Sequence, residues 1–290
     1  MKTSESIRKK IEHRFNDLST AERRVARVML VHYPLSGLET IASISQKANV
    51  SDPTVLRFVA KLGYKRYADF QSSIKQELDQ QMQGPLNVET VGNGAESDLQ
   101  SYLTEFKNII VKNIDETFRG ISKAEFEEVL KILMDPKKQI HLVGGQFTDS
   151  IARYLYFHLR KMRPQVHLIQ GQWPSRIDHL LDLGKKDALI VFDVRRYQPD
   201  IVEFAERASE KVGSIILITD QWLSPAAKYA GYVLPCCVTS LSRWDSLVGM
   251  TALIEALMSY FAELHWSEIK PRLGSLEEIR DSVDSSQYYE

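Results

Sequence analysis

Apolar positions in the first 78 residues recur at helical spacing. Ile7, Ile11 and Phe15 mark a first helix. Ser19 followed three residues later by Glu22 has the spacing of a capping box for a second, and Val25, Val28 and Met29 carry its apolar face until Pro34 and Gly37 break it. Residues 40–62, TIASISQKANVSDPTVLRFVAKL, predict two short helices and a tight turn. Ile41, Ile44 and Ala48 form one face, Asn49 suits a left-handed turn, Ser51 or Asp52 can cap the next helix, and Pro53 fits its first turn. Val55, Phe58, Val59 and Leu62 bury that second helix against the first, the arrangement of a helix-turn-helix.

Between residues 80 and 98 the period is lost in a stretch rich in Gln, Gly and Asn, which reads as a linker. Helices follow over 99–118 and 122–134. Short apolar strands at 139–143, 166–169, 188–193, 215–219 and 232–238 then alternate with helices at 151–162, 176–183, 201–211 and 246–264. That alternation predicts a mostly parallel sheet with helices on both faces. The fold class expected is a helix-turn-helix bundle (1–79), a linker (80–98), an α/β domain (99–266) and a frayed polar tail (267–290).

Length agrees with two domains, since 290 residues exceed one typical domain of about 100–200. No apolar run approaches the roughly 18 residues of a membrane span, and the charged N-terminus does not resemble a signal peptide. Two adjacent cysteines, Cys236 and Cys237, cannot form a disulfide framework, and no His/Cys cluster has metal-site spacing. A cytoplasmic protein without metal, cofactor or membrane partner is expected. The net charge of −1 hides an asymmetry: residues 1–78 carry 14 Lys/Arg against 8 Asp/Glu, while the remainder carries 23 against 30. A basic amino-terminal quarter on an acidic body points to a polyanion partner, here double-stranded DNA.

The candidate DNA-binding residues are Ser51, Asp52, Thr54, Arg57, Lys61, Lys65 and Arg66. Asp52, Thr54, Arg57 and Lys61 are placed on the free face of the second helix, where Arg can fork onto guanine and Thr can meet a thymine methyl or a phosphate. Asp52 could equally be purely a cap. Lys65 and Arg66, past Gly63, suit backbone phosphates.

The segments LSTAERRVARVMLVHYP and IASISQKANVSDPTVLRFVAKLGYKRYADF, with S-x-x-T-V-x-R-F-x-x-x-L-G at 51–63, resemble the RpiR/MurR family of bacterial transcriptional regulators. The resemblance implies a sugar isomerase (SIS) effector domain behind the linker. It also implies a homodimer or homotetramer whose operator affinity changes when a small molecule, usually a phosphosugar, binds. The apolar last helix (Leu253, Ile254, Leu257, Phe261) is the interface candidate.

The loops that would hold a phosphosugar depart from the family. Where the pattern is near G-x-G-x-S, the chain has Gly144, Gly145, Gln146, Phe147 and Thr148; Thr148 or Asp149 could cap the next helix, and Ser150 follows. Where the pattern is S-x-S-G-x-T, the chain has Asp193, Val194, Arg195, Arg196, Tyr197 and Gln198. Two readings stand. Thr148, Arg195, Arg196 and Gln198 form a remodelled anion pocket, or Arg195 pairs with Asp193 and plugs the old one. Ser150, Asp193 and Arg243 complete the effector candidates, Arg243 as pocket or interface. Ser224 with Pro225 reads as a structural helix cap, and Cys236–Cys237 as buried core.

No catalytic residue is assigned. Isomerisation needs a base beside a fixed substrate, and His141, His158, His167 and His179 show no paired carboxylate in the sequence. Neither G-x-S-x-G nor a P-loop motif occurs.

Overall fold

The computed structural model describes residues 7–31, 33–82, 98–171 and 173–282. The chain divides into two compact units, Met1–Gly84 and Pro85–Glu290.

Five helices build the first unit: α1 (Ile7–Arg14), α2 (Thr20–Val31), α3 (Ile41–Ala48), α4 (Asp52–Lys61) and α5 (Tyr67–Met82). Their core is Ile7, Ile11, Val25, Met29, Ile44, Val55, Phe58, Phe70 and Ile74. The capping box forms: Ser19 N–H donates to Glu22 Oε2 at 2.8 Å and Glu22 N–H reaches Ser19 Oγ at 3.4 Å. Thr40 caps α3, accepting from Ser43 N–H. Asn49 adopts φ 50° and closes α3 in the left-handed region, while Val50 N–H bonds Ser45 carbonyl at 2.9 Å. The chain therefore turns sharply into α4, which opens at Ser51 with Pro53 in its first turn.

In the second unit, α6 (Leu99–Gly120) and α7 (Lys123–Met134) precede a five-stranded parallel sheet: β1 (Ile140–Gly144), β2 (Val166–Leu168), β3 (Ala188–Asp193), β4 (Ser214–Asp220) and β5 (Tyr232–Cys236). The spatial order is β2-β1-β3-β4-β5. Between the strands run α8 (Asp149–Met162), α9 (Trp173–Asp178) and α10 (Pro199–Ser209), and α11 (Val248–Leu264) and α12 (Trp266–Ser282) follow β5. β1 and β3 are both buried throughout, which is why their sequence is continuously apolar rather than alternating. Two cores result. One packs α7, α8 and α11 on one face of the sheet, and the other packs α10 on the opposite face.

Three expectations change. The polar tail is a helix through residue 282: Ile269 is buried, Leu273 packs on the core, and Arg272 donates two bonds to the Arg160 carbonyl of α8. The linker begins later than residue 80, because α5 continues to Met82; residues 83–97, and 283–290 of the tail, lie outside the described residues. Leu253, Ile254, Leu257 and Phe261 of α11 are core residues of this same chain, so they cannot form an intersubunit face. Val248, Tyr260 and Leu264 are the exposed apolar positions of that helix.

Candidate DNA interface and effector site

The exposed residues of α4 are Asp52, Pro53, Leu56, Arg57, Ala60 and Lys61. Arg57 is among them as expected, and its guanidinium donates to Thr54 Oγ1 at 3.0 Å. Thr54 is not one of them: it is 5% exposed, and its hydroxyl lies 3.0 Å from Ser51 Oγ. A residue three positions before Arg57 falls under it, so Thr54 acts as the post that steers Arg57. Lys61 is exposed at the end of the same helix, as expected. Its ammonium pairs with Glu22 Oε2 at 2.7 Å, fastening α4 to α2. This cation holds the Glu22 carboxyl below its usual range despite the opposing effect of burial.

Asp52 accepts from Ser45 Oγ at 2.5 Å and so ties α4 to α3. Ser51 occupies the cap position of α4 without a capping side-chain bond, its hydroxyl being turned to Thr54. Lys65 and Arg66 are exposed beyond Gly63, with Arg66 forked onto Asp69 at 2.7 and 3.2 Å. The sequence reading missed Leu56, 43% exposed on the recognition face; it lies outside the Val55, Phe58, Val59 and Leu62 core stripe, and that was its available signal.

At the C-terminal edge of the sheet, β1 and β3 are neighbours whose chains depart to α8 and α10. In a parallel sheet of this order the ligand crevice lies there. Gly144 makes the β1 loop possible, since a Cβ there would stand 2.6 Å from the Asp149 amide; one on Gly145 would displace only the tip of the Gln198 side chain, at 2.3 Å. Thr148, fully buried, accepts from Gly145 N–H and donates to the Phe192 carbonyl, both at 2.8 Å, and caps nothing. Gln198 reaches across from the β3 loop and accepts from Gln146 N–H at 2.5 Å. Two loop amides are thus already bonded to side chains of the same chain. Ser150 is exposed and donates to the Phe147 carbonyl.

Asp193 does not pair with Arg195. It is 1% exposed, accepts from Ser224 Oγ at 2.5 Å and from Gln198 N–H at 3.3 Å, and burial pushes its carboxyl up to about 7. Ser224 also caps the short turn at Pro225, as expected. Arg195 instead meets Asp245, which precedes α11: Nε donates to Oδ2 at 2.7 Å and Nη2 faces Oδ1, so Asp245 holds the guanidinium and does not cap the helix. The guanidinium also lies 5.0 Å from the centre of the Trp222 ring. Beneath it, Asp220 accepts from Arg195 N–H, Trp222 N–H and Tyr197 OH, yet complete burial raises its carboxyl to about 6.

Arg196 adopts φ 65° and faces the Trp244 ring at 6.0 Å. Trp244 meets Phe147 edge-on at 5.9 Å, and the two rings are 56% and 55% exposed. Arg243 is exposed in the same segment. Asp220 and Arg176 escaped the sequence reading, which offered Asp245 only as a cap of the last helix, with Ser242 as the alternative. Buried Arg176 donates to the Gly144 carbonyl and Asp200, both at 3.1 Å, and only the strand order brings it to β1.

Of the four histidines weighed in the sequence, His141 does have a carboxylate nearby: its Nε2 is 3.7 Å from Asp187 Oδ2. That pair stands at the opposite edge of the sheet from the candidate site, and burial, with His167 stacked at 4.9 Å, holds the His141 imidazole below its usual range. Cys236 and Cys237 are both buried. Among the described residues, no group of three or more His, Cys, Asp or Glu is placed to hold a metal, and no helix is long and apolar enough to cross a membrane.

A helix-turn-helix bundle joined to a five-stranded parallel sheet of this order defines a two-domain regulator with an SIS effector domain. Residues 5–81 match the model of the rpiR-family helix-turn-helix domain and residues 133–260 that of the SIS domain. The chain belongs to the RpiR family of transcriptional regulators, with divergent loops in its SIS domain. It is 23% identical over 219 residues to the regulator HexR of Pseudomonas aeruginosa, covering 74% of this chain and 73% of that one. The Vibrio vulnificus NanR protein, solved in complex with ManNAc-6P, shares the fold over 97% of this chain and 100% of its own (TM-score 0.54, 16% identity). The sugar isomerase domain of an RpiR transcription factor from Sphaerobacter thermophilus matches 61% of this chain and 98% of its own (TM-score 0.57, 20% identity).

Proposed function

We propose that this transcriptional regulator binds double-stranded operator DNA through α4 as a cytoplasmic homodimer or homotetramer, and that its SIS domain senses a small anionic metabolite, a phosphosugar or a sugar acid. The observation that carries the sensor reading is the guanidinium of Arg195. It lies near Trp222 at the ligand edge of the sheet and is already held by a carboxylate, through one hydrogen bond to Asp245 Oδ2 and a close ionic contact with Oδ1, and an Arg so placed suits carboxylates and phosphates. Gly145 and Gln146 amides are taken by Thr148 and Gln198, so an effector would be held chiefly through Arg195 and not by the family's hydroxyl-rich cradle.

Exposed apolar residues along α6 (Leu99, Leu103, Phe106) and α11 (Tyr260, Leu264) support assembly between copies, since apolar surface of this extent favours association. No catalytic role is proposed. A chain that bound no DNA duplex yet isomerised a sugar phosphate would reverse that reading.

The same bonds favour a second reading, a DNA-bound scaffold whose ligand seat is filled by its own Gln198 and Asp245. Thermal unfolding of the wild type and Arg195→Ala against phosphosugars, sugar acids and other metabolite anions separates the two. Stabilisation of the wild type alone supports the sensor at Arg195, stabilisation of both moves the ligand elsewhere, and no response across the panel favours the scaffold.

A further inference from the structure

Segment 239–247, between β5 and α11, lies across both loops that leave the C-terminal edge of the sheet. Trp244 rests on Phe147 of the β1 loop and faces Arg196 of the β3 loop, and the next residue, Asp245, engages Arg195. Asn113 of α6 donates to the Thr239 carbonyl at 2.6 Å at the start of the segment. Neither side chain of the Arg195–Asp245 pair is fully solvated, at 12% and 20% exposure. The pair therefore differs from the exposed i,i+4 pairs elsewhere in the chain, where water competes with each partner.

The surroundings of Arg195 are arranged for an anion. Its guanidinium lies 5.0 Å from the centre of the Trp222 ring, and a guanidinium beside an aromatic ring suits a planar carboxylate or a phosphate. The one carboxyl beneath it, Asp220, has its oxygens occupied by backbone N–H groups of Arg195, Trp222 and Leu223 and by Tyr197 OH, and does not compete for the guanidinium. What sits on the guanidinium is a carboxylate borne by a loop, and that loop leads directly into α11, a 17-residue helix of the main core. A carboxylate on a tether and a carboxylate or phosphate on a metabolite can each accept charge-assisted hydrogen bonds from the same Arg.

We propose that Asp245 is an internal anion seated in a latent binding site for a small carboxylate or phosphate group, and that such a group enters by displacing Asp245 from Arg195 and lifting the 239–247 segment off the strand ends. This rests on the sensor reading of the SIS domain and deepens it: the ligand competes with a residue of the protein, and the apparent affinity is lowered by the fraction of molecules in which the clasp is closed. Trp244, Phe147 and Arg196 part when the segment lifts, so the same event is transmitted to the start of α11.

Chemical rescue tests this on the full chain. Asp245→Asn keeps the shape of the side chain and removes its charge, leaving Arg195 without its carboxylate. The variant is unfolded thermally in sodium phosphate, in sodium acetate and in chloride at matched ionic strength, so that screening is constant and the two anion classes are separated. The variant is expected to be saturably stabilised by phosphate, acetate or both, with an apparent affinity at least about tenfold above that of the wild type. Asp245→Asn combined with Arg195→Gln is expected to lose that response. An equal response of wild type and Asp245→Asn, or a response that survives in the double variant, overturns the proposal. If Asp245→Asn does not accumulate as folded protein, its refolding yield in phosphate against chloride decides: a higher yield in phosphate supports the proposal, and equal yields overturn it. A metabolite that stabilises the wild type and still stabilises Arg195→Gln keeps the sensor reading and overturns this one. Silence of wild type and both variants towards every anion overturns both.

Discussion

Asp193 offers a quantitative check on the buried chemistry of the SIS domain. Its carboxyl is closed off from water between β3 and Ser224 and is raised to about 7, first by burial and then by the nearby Asp220 and Asp200, against the lowering effect of bonds from Ser224 and Gln198. In the unfolded chain an aspartate titrates near 3.9. Between those values the folded state holds a proton that the unfolded state has released. The protonated form therefore contributes stability in full below about pH 4, and that contribution is lost as pH rises through about 7.

The interval corresponds to at most about 4 kcal/mol, and relaxation around the charged form reduces it, so a loss of roughly 2–4 kcal/mol is expected from pH 4 to pH 8. Asp193→Asn is uncharged throughout and retains a carbonyl to accept from Ser224. It should match the wild type near pH 4 and exceed it at pH 8 by about 4–16 °C in Tm, at roughly 2–4 °C per kcal/mol for a unit of this size. All four tryptophans, Trp173, Trp222, Trp244 and Trp266, lie in the second unit, so intrinsic fluorescence follows this domain alone. Asp220, raised to about 6, leaves the variant a shallower residual slope at lower pH. Parallel pH profiles for wild type and Asp193→Asn, or a variant less stable at every pH, would refute the reasoning.

Four further outcomes are expected. Arg57→Ala should weaken specific duplex binding by about 1–3 kcal/mol, and an equal loss on random duplex would make Arg57 a phosphate contact instead. Thr54→Val, which removes the acceptor that steers Arg57, should reduce the preference for specific over random duplex while leaving random binding unchanged; a uniform loss in anisotropy titrations would deny the steering role. Lys65→Ala should lower affinity for all sequences and reduce the slope of log K against log salt by about 1, so an unchanged slope removes it from the interface. Asn49→Ala should cost about 1 kcal/mol in the helical unit, read by far-ultraviolet circular dichroism, whereas Asn49→Gly should be close to neutral, because the position holds φ 50°.

Local chemistry explains what the sequence made legible. The Ser19–Glu22 box, the left-handed Asn49 and the Ser224–Pro225 cap depend on residues a few positions apart, and all three take the expected form. The continuously apolar strands likewise announce a buried parallel sheet. What stayed hidden depends on contacts between distant segments. Lys61 sits on a helix whose period is clear, but its ion pair is with Glu22, 39 residues away. Arg195 had a carboxylate two residues away in Asp193, yet the strand direction sends Asp193 inward to Ser224, and Asp245, 50 residues on, takes the guanidinium. α11 misled in a different way: its apolar stripe is real, but the sheet of its own chain consumes it. In α12, abundant charge concealed Ile269 and Leu273, which are enough to dock a helix.

DNA recognition by α4 is the central claim, and selection of duplexes from a randomised pool by the full-length protein tests it most directly, followed by anisotropy titration of the enriched and scrambled sequences with wild type and Arg57→Ala. The account predicts an enriched sequence bound at least about a thousandfold more tightly than its scrambled counterpart by the wild type, with the gap narrowed by Arg57→Ala. Absence of any enriched sequence, or equal affinity for enriched and scrambled duplexes, would contradict it.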